Sequence, residues 1–397
     1  MRIIFVDNAA WREKLLPLTF IRPVSALRIG ILTIEEKWSK RLNCSFTHIT
    51  ENYLSKKFPL DLGLETEFLL VRGNICPDDQ LIDAAAQLRT GEALADATGM
   101  MLLKTDRAGL EEFQKQGLEP FHIKNYQAPF LRLVFPEDLF LNNGREIQMD
   151  FDLITKGRES AKLSSTNQFL GEQLFAEEGV VAECSIFNSL NGPIYLGKES
   201  EVWENCSIRG AFALCESSQV KMGARIYNDV TIGPKSRVGG EMNTCVILGY
   251  SSKGHDGYLG SSVMGEWCNW GADTNNSNLK NNYKSVKVYD YQSSSYRKTD
   301  LQFYGLIMGD HSKCAINTAF NTGTIVGVGA SIFGAGFPPT YVPDFSWGGA
   351  GGLEEYNLER MFETAALVYE RRNRIFDDQD KAILKHVFDL TSIKRQS

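Results

Sequence analysis

Nine aliphatic residues stand six apart: Leu190, Leu196, Val202, Ile208, Leu214, Val220, Ile226, Ile232 and Val238. A helix repeats its buried face every three to four residues and a strand every two, so neither accounts for this spacing. The register returns at Met308, Cys314, Phe320, Val326 and Ile332. Small residues fall four places after the aliphatic, at Ser200, Cys206, Ser218, Ala224, Ser236, Ser312, Thr318, Thr324 and Ala330, and glycine often follows it directly, as in Ile232-Gly233 and Val326-Gly327. Hexapeptide periods belong to parallel β-helices, in which short strands stack rung on rung and each sends one branched side chain into a shared core. The expected fold here is therefore a parallel β-helix. Its small residues would fit the tight interior, and its glycines would give backbone freedom at corners.

The pattern elsewhere differs. Residues 1–140 contain buried-strand runs at Ile3-Ile4-Phe5-Val6 and Phe68-Leu69-Leu70-Val71, with a helical stretch from Asp79 to Leu88, which is α/β wording. Residues 141–180 read as a connecting segment, and the coil is expected over 181–345. One polar, aromatic interruption, Asn275 to Phe303, must loop out of the coil, and loops on rigid scaffolds commonly carry function. Within 346–397, Leu358, Met361, Phe362, Ala365 and Val368 have helical spacing, and Ile383, Leu384, Val387 and Phe388 suggest a second helix that caps or flanks the coil.

Composition narrows the partners. With 43% apolar and 23% charged residues over 397 positions, two ordinary globular domains fit. A net charge of −7 argues against a nucleic-acid binder but leaves room for a local cationic pocket. The start, MRIIFVDNAAWREKLL, lacks a long apolar core behind a basic cap, and no stretch of about 18 apolar residues occurs. The expectation is a cytoplasmic protein without a membrane partner. Eight cysteines (44, 76, 184, 206, 215, 245, 268 and 314) are scattered without a CxxC pair and read as reduced structural thiols.

The hexad phase fails at Lys253-Gly254-His255-Asp256-Gly257-Tyr258-Leu259-Gly260, followed by Asn269-Trp270-Gly271-Ala272-Asp273-Thr274. This run resembles the acetyltransferase half of the bacterial bifunctional N-acetylglucosamine-1-phosphate uridylyltransferase/glucosamine-1-phosphate acetyltransferase family, with its K-x-G-H-x-x-Y-L-G segment and G-x-x-x-N-x-G-A-G-T continuation. The resemblance implies a left-handed coil and acetyl-CoA as substrate. His255 would be the general base, with Tyr258, Asn269 and Asn278 lining an amino-sugar phosphate pocket and Lys253 a nearby cation. It also implies that Ala272 and Gly309 lie along the acetyl-CoA path, and that the coils form a homotrimer with sites between them. The chemistry is coherent, because an ammonium must lose its proton before attacking a thioester and a histidine titrates near neutrality. There are departures. Asn243 stands where the family has a phosphate-binding lysine, Tyr227 where it has an arginine (Arg225 is two residues away), and Asp273 replaces a glycine. Lys280, Lys284 and Lys287 of the insertion either replace missing phosphate contacts or form a solvated face. Gly327-Val328-Gly329 and Gly334-Ala335-Gly336 read as corner glycines. Arg371-Arg372-Asn373-Arg374 either complement a helix dipole, the favoured reading, or reach coenzyme phosphates in a neighbouring subunit.

In the N-terminal part, Leu16-Pro17-Leu18-Thr19-Phe20-Ile21-Arg22-Pro23-Val24 resembles the sugar-1-phosphate nucleotidylyltransferase signature, a G-x-G-T-R loop followed by P-L-T and P-K-P. The resemblance implies a Rossmann-like α/β nucleotidylyltransferase-like domain preceding the coil. Its nucleotidyl site would draw on Arg12, Thr19, Arg22, Arg28 and Asn74, with Mg2+ if the domain is active. Three elements depart from the family. Asp7-Asn8-Ala9-Ala10-Trp11-Arg12 replaces the glycine loop, Val24 replaces the P-K-P lysine, and Asn74 stands where a carboxylate would hold Mg2+. Asp78 and Asp79 follow, and a solvated helix start explains them equally well.

Two functions remain in view. One is a transferase acting on a sugar phosphate or nucleotide sugar, with nucleotidyl chemistry at the N-terminus and acetyl-CoA-dependent acyl transfer in the coil. The other is a non-catalytic sugar-nucleotide-binding scaffold with a degenerate nucleotidyl site.

Overall fold

The computed structural model describes residues 1–395, and the chain divides into two compact units. The first comprises Met1–Leu15, Arg22–Leu27 and Leu32–Val134; the second takes Leu16–Ile21, Arg28–Ile31 and the chain from Phe135 onward.

The first unit is an α/β domain built on a six-stranded sheet. Arg2–Val6 runs parallel to both its neighbours, Phe46–Ile49 and Glu67–Arg72. Gly99–Asp106 turns the sheet antiparallel, pairing with Glu67–Arg72 and Glu92–Asp96. Ile3, Ile4, Phe5, Phe68, Leu69, Leu70 and Val71 are all buried, as expected for strands covered on both faces. The helix Asp79–Ala86 begins at Asp78, whose carboxylate accepts from the Leu81 N–H at 2.9 Å. That cap accounts for Asp78.

The second unit is a parallel β-helix with C-terminal helices. Successive rungs place Ile194 opposite Phe212 and Phe212 opposite Val230 on one face, and Glu201, Gln219 and Arg237 in line on another. Leu196, Val202, Ile208, Leu214, Val220, Ile226, Ile232 and Val238 fill one continuous core with Met308, Phe320, Val326 and Ile332. Leu190 does not join them. It is 66% exposed, because Phe187 is the residue that pairs in register with Ile208, and the extra residues between them carry Leu190 outside.

The glycines after the aliphatics serve a different purpose from the one expected. None of Gly197, Gly233, Gly239, Gly309 and Gly327 is among the glycines with positive φ. A Cβ on Gly233 would instead sit 2.0 Å from the Leu248 carbonyl oxygen of the next rung, and one on Gly309 would sit 2.7 Å from the Gly327 carbonyl carbon. Their function is close stacking. The left-handed corner two residues later falls to Glu199, Lys235 and His311, with Gly329 (φ +68°) the glycine that takes it.

Residues 141–180 hold the helix Asn143–Thr155 and the coil's first strands, Gln168–Leu170 and Leu174–Ala176. The interruption after Thr274 is not a free loop. Lys287–Asp290 and Ser295–Lys298 form an antiparallel hairpin whose Val286, Val288 and Tyr291 are buried. The Tyr291 hydroxyl donates to Asp344 of a late rung, and Arg297 pairs with Glu137 at 2.6 Å. Apolar and aromatic residues inside the insertion hold it against its own unit. Helices Leu358–Glu370 and Asp378–Leu390 bury Met361, Ala365, Tyr369, Ile383, Leu384 and Val387. Phe388 meets Phe345 edge-on near the coil's end, whereas Tyr369 stacks on Trp267 on its flank, so the helices both cap and flank.

Candidate functional site

The strand Ser252–Lys253 stacks on Arg237–Val238, which puts Lys253 in the core position opposite Val238. A lysine there is costly unless its ammonium is satisfied. Its Nζ donates to the carbonyls of Gly239 (2.8 Å) and His255 (3.0 Å). Burial pushes this amine down to about 8, with Cys245 and Asp256 acting in the opposite direction. Lys253 is thus an internal tie that fixes the corner carrying His255. His255 itself is exposed, and its ring makes no hydrogen bond among the described residues.

Beyond that corner, Tyr258 and Asn278 come together as the resemblance implied. Asn278 Nδ2 donates to the Tyr258 hydroxyl at 3.1 Å and to Ser261 Oγ at 3.2 Å. Burial raises the Tyr258 phenol above its usual range. Two asparagines substitute for missing rung backbone where the insertion departs. Asn276 accepts from the Gly260 N–H and donates to the Gly260 carbonyl, and Asn275 accepts from the Tyr258 N–H. Nothing in the hexad pattern marks Ser261 or Asn276. Only the chain's return after the insertion reveals them. Of the departures, Asn243 Oδ1 accepts from Thr244 and Asn228, Tyr227 donates to Glu241, and Arg225 lies 3.8 Å from the same carboxylate. Lys280 donates to the Ser285 carbonyl within the insertion, while Lys284 and Lys287 are exposed.

Asn269 is placed apart. Its strand pairs with Ser252 and Lys313, on a different sheet from the strand that begins at Tyr258. There it lines a cavity of about 320 Å3 together with Arg237, Lys313, Arg371 and Arg372. The coil positions of these residues are legible in hindsight, since each precedes a core residue (Val238, Trp270, Cys314) and so points outward from one face. Ala272 is half-buried and its carbonyl accepts from Asn317, while Gly309 is filled over by the next rung.

In the first unit the residues replacing the glycine loop form a short helix, Ala9–Arg12, capped by Asn8. Arg12 is turned inward. It donates to Asp7 (2.7 Å), the Arg22 carbonyl (3.0 Å) and the Tyr53 hydroxyl (3.2 Å). Asp7 also accepts from Thr50 and the Val24 N–H. Asn74 is 1% exposed, its Oδ1 accepting from Arg72 Nε and its Nδ2 donating to the Leu133 carbonyl at 2.6 Å. With both amide atoms engaged, Asn74 does not fit a Mg2+ ligand, and the described residues contain no group of three His, Cys, Asp or Glu able to hold a metal. Arg22 is buried in this unit, whereas Thr19 and Arg28 are buried in the second unit, where Arg28 donates to the Ile31 carbonyl.

Comparison with known proteins identifies the N-terminal part. Residues 3–159 match the family described as sugar nucleotidyl transferase. Residues 3–159 are sugar nucleotidyl transferase-like. That bears out the resemblance read from Leu16 to Val24. The bifunctional protein GlmU of Methanocaldococcus jannaschii is 31% identical over 136 residues, covering 34% of this chain and 28% of that protein. The chain thus spans less than a third of that relative in the match. Among solved structures, UDP-N-acetylglucosamine acyltransferase from Campylobacter jejuni aligns with 56% of this chain and 95% of its own, at 12% identity and a TM-score of 0.29. The polySia-specific acetyltransferase NeuO aligns with 49% of this chain and 88% of its own, at 16% identity and a TM-score of 0.26. No described helix is long and apolar enough to cross a membrane.

Proposed function

We propose that the coil transfers an acetyl group from acetyl-CoA to the amine of an amino-sugar phosphate or nucleotide sugar, with His255 as general base. The observation that carries this reading is the His255 corner: an exposed imidazole on a backbone anchored from inside by Lys253, one short step from the linked Tyr258, Asn278 and Ser261. The imidazole takes the proton of the bound ammonium, the freed amine attacks the thioester carbon, and coenzyme A leaves as the thiol. Tyr258 and Asn278 orient the sugar. Asn269 opens on another face, so it would join them only across a trimer interface, with the coenzyme running past Ala272 and Gly309 of an adjacent coil.

For the N-terminal unit the internal engagement of Arg12 and Asn74 favours one part of the non-catalytic scaffold reading, a degenerate nucleotidyl site that binds a sugar nucleotide without nucleotidyl transfer. Thiol release from acetyl-CoA in the presence of amino-sugar phosphates, compared between wild type and His255→Ala, tests the first part. Loss of about a hundredfold or more is expected, and equal release by both proteins refutes it. Pyrophosphate release with Mg2+ and each nucleoside triphosphate tests the second, with silence expected.

A further inference from the structure

The cavity that holds Asn269 carries more positive charge than its surroundings explain. Along one outward face of the coil Arg237, Ser252, Asn269 and Lys313 stand in register on successive rungs. Rungs are about 4.8 Å apart, so this ladder of donors is about 14 Å long. Arg371 and Arg372, at the end of the helix Leu358–Glu370, line the same cavity. Four cations therefore converge in a chain whose net charge is −7, and no carboxylate lines the space with them.

These cations are not answered internally. None of the four makes an ion pair among the described residues, and the Arg372 Nε is buried without a hydrogen-bond partner. Lys313 spends one hydrogen bond on the His311 carbonyl. Burial, and after it the charges of Arg237 and Arg371, push the Arg372 guanidinium down. The helix dipole accounts for Arg371 at the C-cap. It does not account for Arg237 or Lys313, which belong to the coil.

The walls restrict what enters. Trp267 is sandwiched between Tyr250 (4.3 Å) and Tyr369 (3.7 Å), and the Arg374 guanidinium lies over the Tyr250 ring (5.7 Å), so the neighbouring aromatic faces are already occupied. No open ring is left for a base to stack on. We propose that this cavity binds a diphosphate group, free or carried on a nucleoside, through Arg237, Asn269, Lys313, Arg371 and Arg372. Its oxygens would accept from the forked guanidinium donors and the Asn269 amide, which suits planar, bidentate recognition. The site shares Asn269 with the pocket proposed above but does not rest on the role given to His255.

Titration calorimetry of the full chain with inorganic pyrophosphate, orthophosphate and UDP tests it. Pyrophosphate is expected to bind at micromolar concentration, orthophosphate at least about tenfold more weakly, and UDP within a few fold of pyrophosphate. Arg237→Ala and the helix-end Arg371→Ala should each weaken pyrophosphate binding about tenfold or more, while Lys284→Ala on the insertion leaves it unchanged. Using an exposed and a half-buried arginine keeps the test valid if either variant folds poorly. No heat with millimolar pyrophosphate, or affinity unmoved by both arginine variants, overturns the site. UDP binding far tighter than pyrophosphate would overturn the inference that no base is read.

Discussion

Asp344 offers a quantitative test of how the coil is sealed. Its carboxylate is fully buried, accepts the Val328 N–H at 2.7 Å and the Tyr291 hydroxyl at 3.1 to 3.2 Å, and has Tyr341 and Lys394 as its other polar neighbours. Burial raises it from the ordinary carboxylate range to about 6, against the opposing pull of Val328, Tyr291 and Lys394. Because the folded state prefers the protonated acid, the stability this group adds is complete below its unfolded value of about 3.9 and is lost as pH rises through about 6. Integrating between about pH 4.5 and about pH 7.5 gives a loss of about 2 kcal/mol. Asp344→Asn keeps an acceptor for Val328 and cannot ionise. Urea unfolding of the coil, followed by tryptophan fluorescence for both proteins, should show the variant gaining about 2 kcal/mol on wild type between those two pH values. A difference between the two proteins that stays constant across that range refutes the assignment.

The register of the core is tested by paired substitutions: Ile226→Ala should cost about 2 to 5 kcal/mol, whereas Leu190→Ala should stay within about 0.5 kcal/mol. Equal effects in urea unfolding would restore Leu190 to the core. Asn74→Asp sets a carboxylate against the Leu133 carbonyl and should destabilise the first unit by about 1 to 3 kcal/mol. It should add no Mg2+ affinity by calorimetry, and a gain would reverse the conclusion that this position cannot hold the metal. With all eight cysteines free, Cys184 exposed and Cys44 half-buried, a native thiol titration should find Cys184 fast, Cys44 slower, and the other six reactive only on unfolding.

The coil was legible because one physical demand, a branched side chain in a narrow core, repeats at fixed spacing through Val238 and again from Met308. The demand is blind to spacer length, which is why Leu190 held the period while Phe187 held the core. The glycines were placed correctly and explained wrongly, since proximity to the next rung leaves no trace in a single sequence. Likewise His255, Tyr258 and Asn278 could be picked out by motif, but Lys253 could not be read as a core residue until its stacking on Val238 was seen. Asn269, Arg371 and Arg372 stand out in the sequence, but Arg237 and Lys313 each resemble a solvated charge, and only the stacking of rungs and the returning helix bring the five together. In the N-terminal unit the altered motif positions were visible, but that Arg12 and Asn74 are spent on Asp7, Tyr53, Arg72 and Leu133 needed the fold.

The hairpin between Lys287 and Lys298 has an evolutionary corollary. An insertion anchored only at its two ends can be lengthened, trimmed or exchanged freely. This one supplies the hydroxyl that partners Asp344 and the guanidinium that partners Glu137. Deleting it would leave two buried carboxylates, Asp344 on a late rung and Glu137 on a helix before the coil, each with one partner fewer. The hairpin and those two acids are therefore coupled: a hairpin transplanted onto another coil leaves its Tyr291 hydroxyl and Arg297 guanidinium without these acceptors unless both acids travel with it.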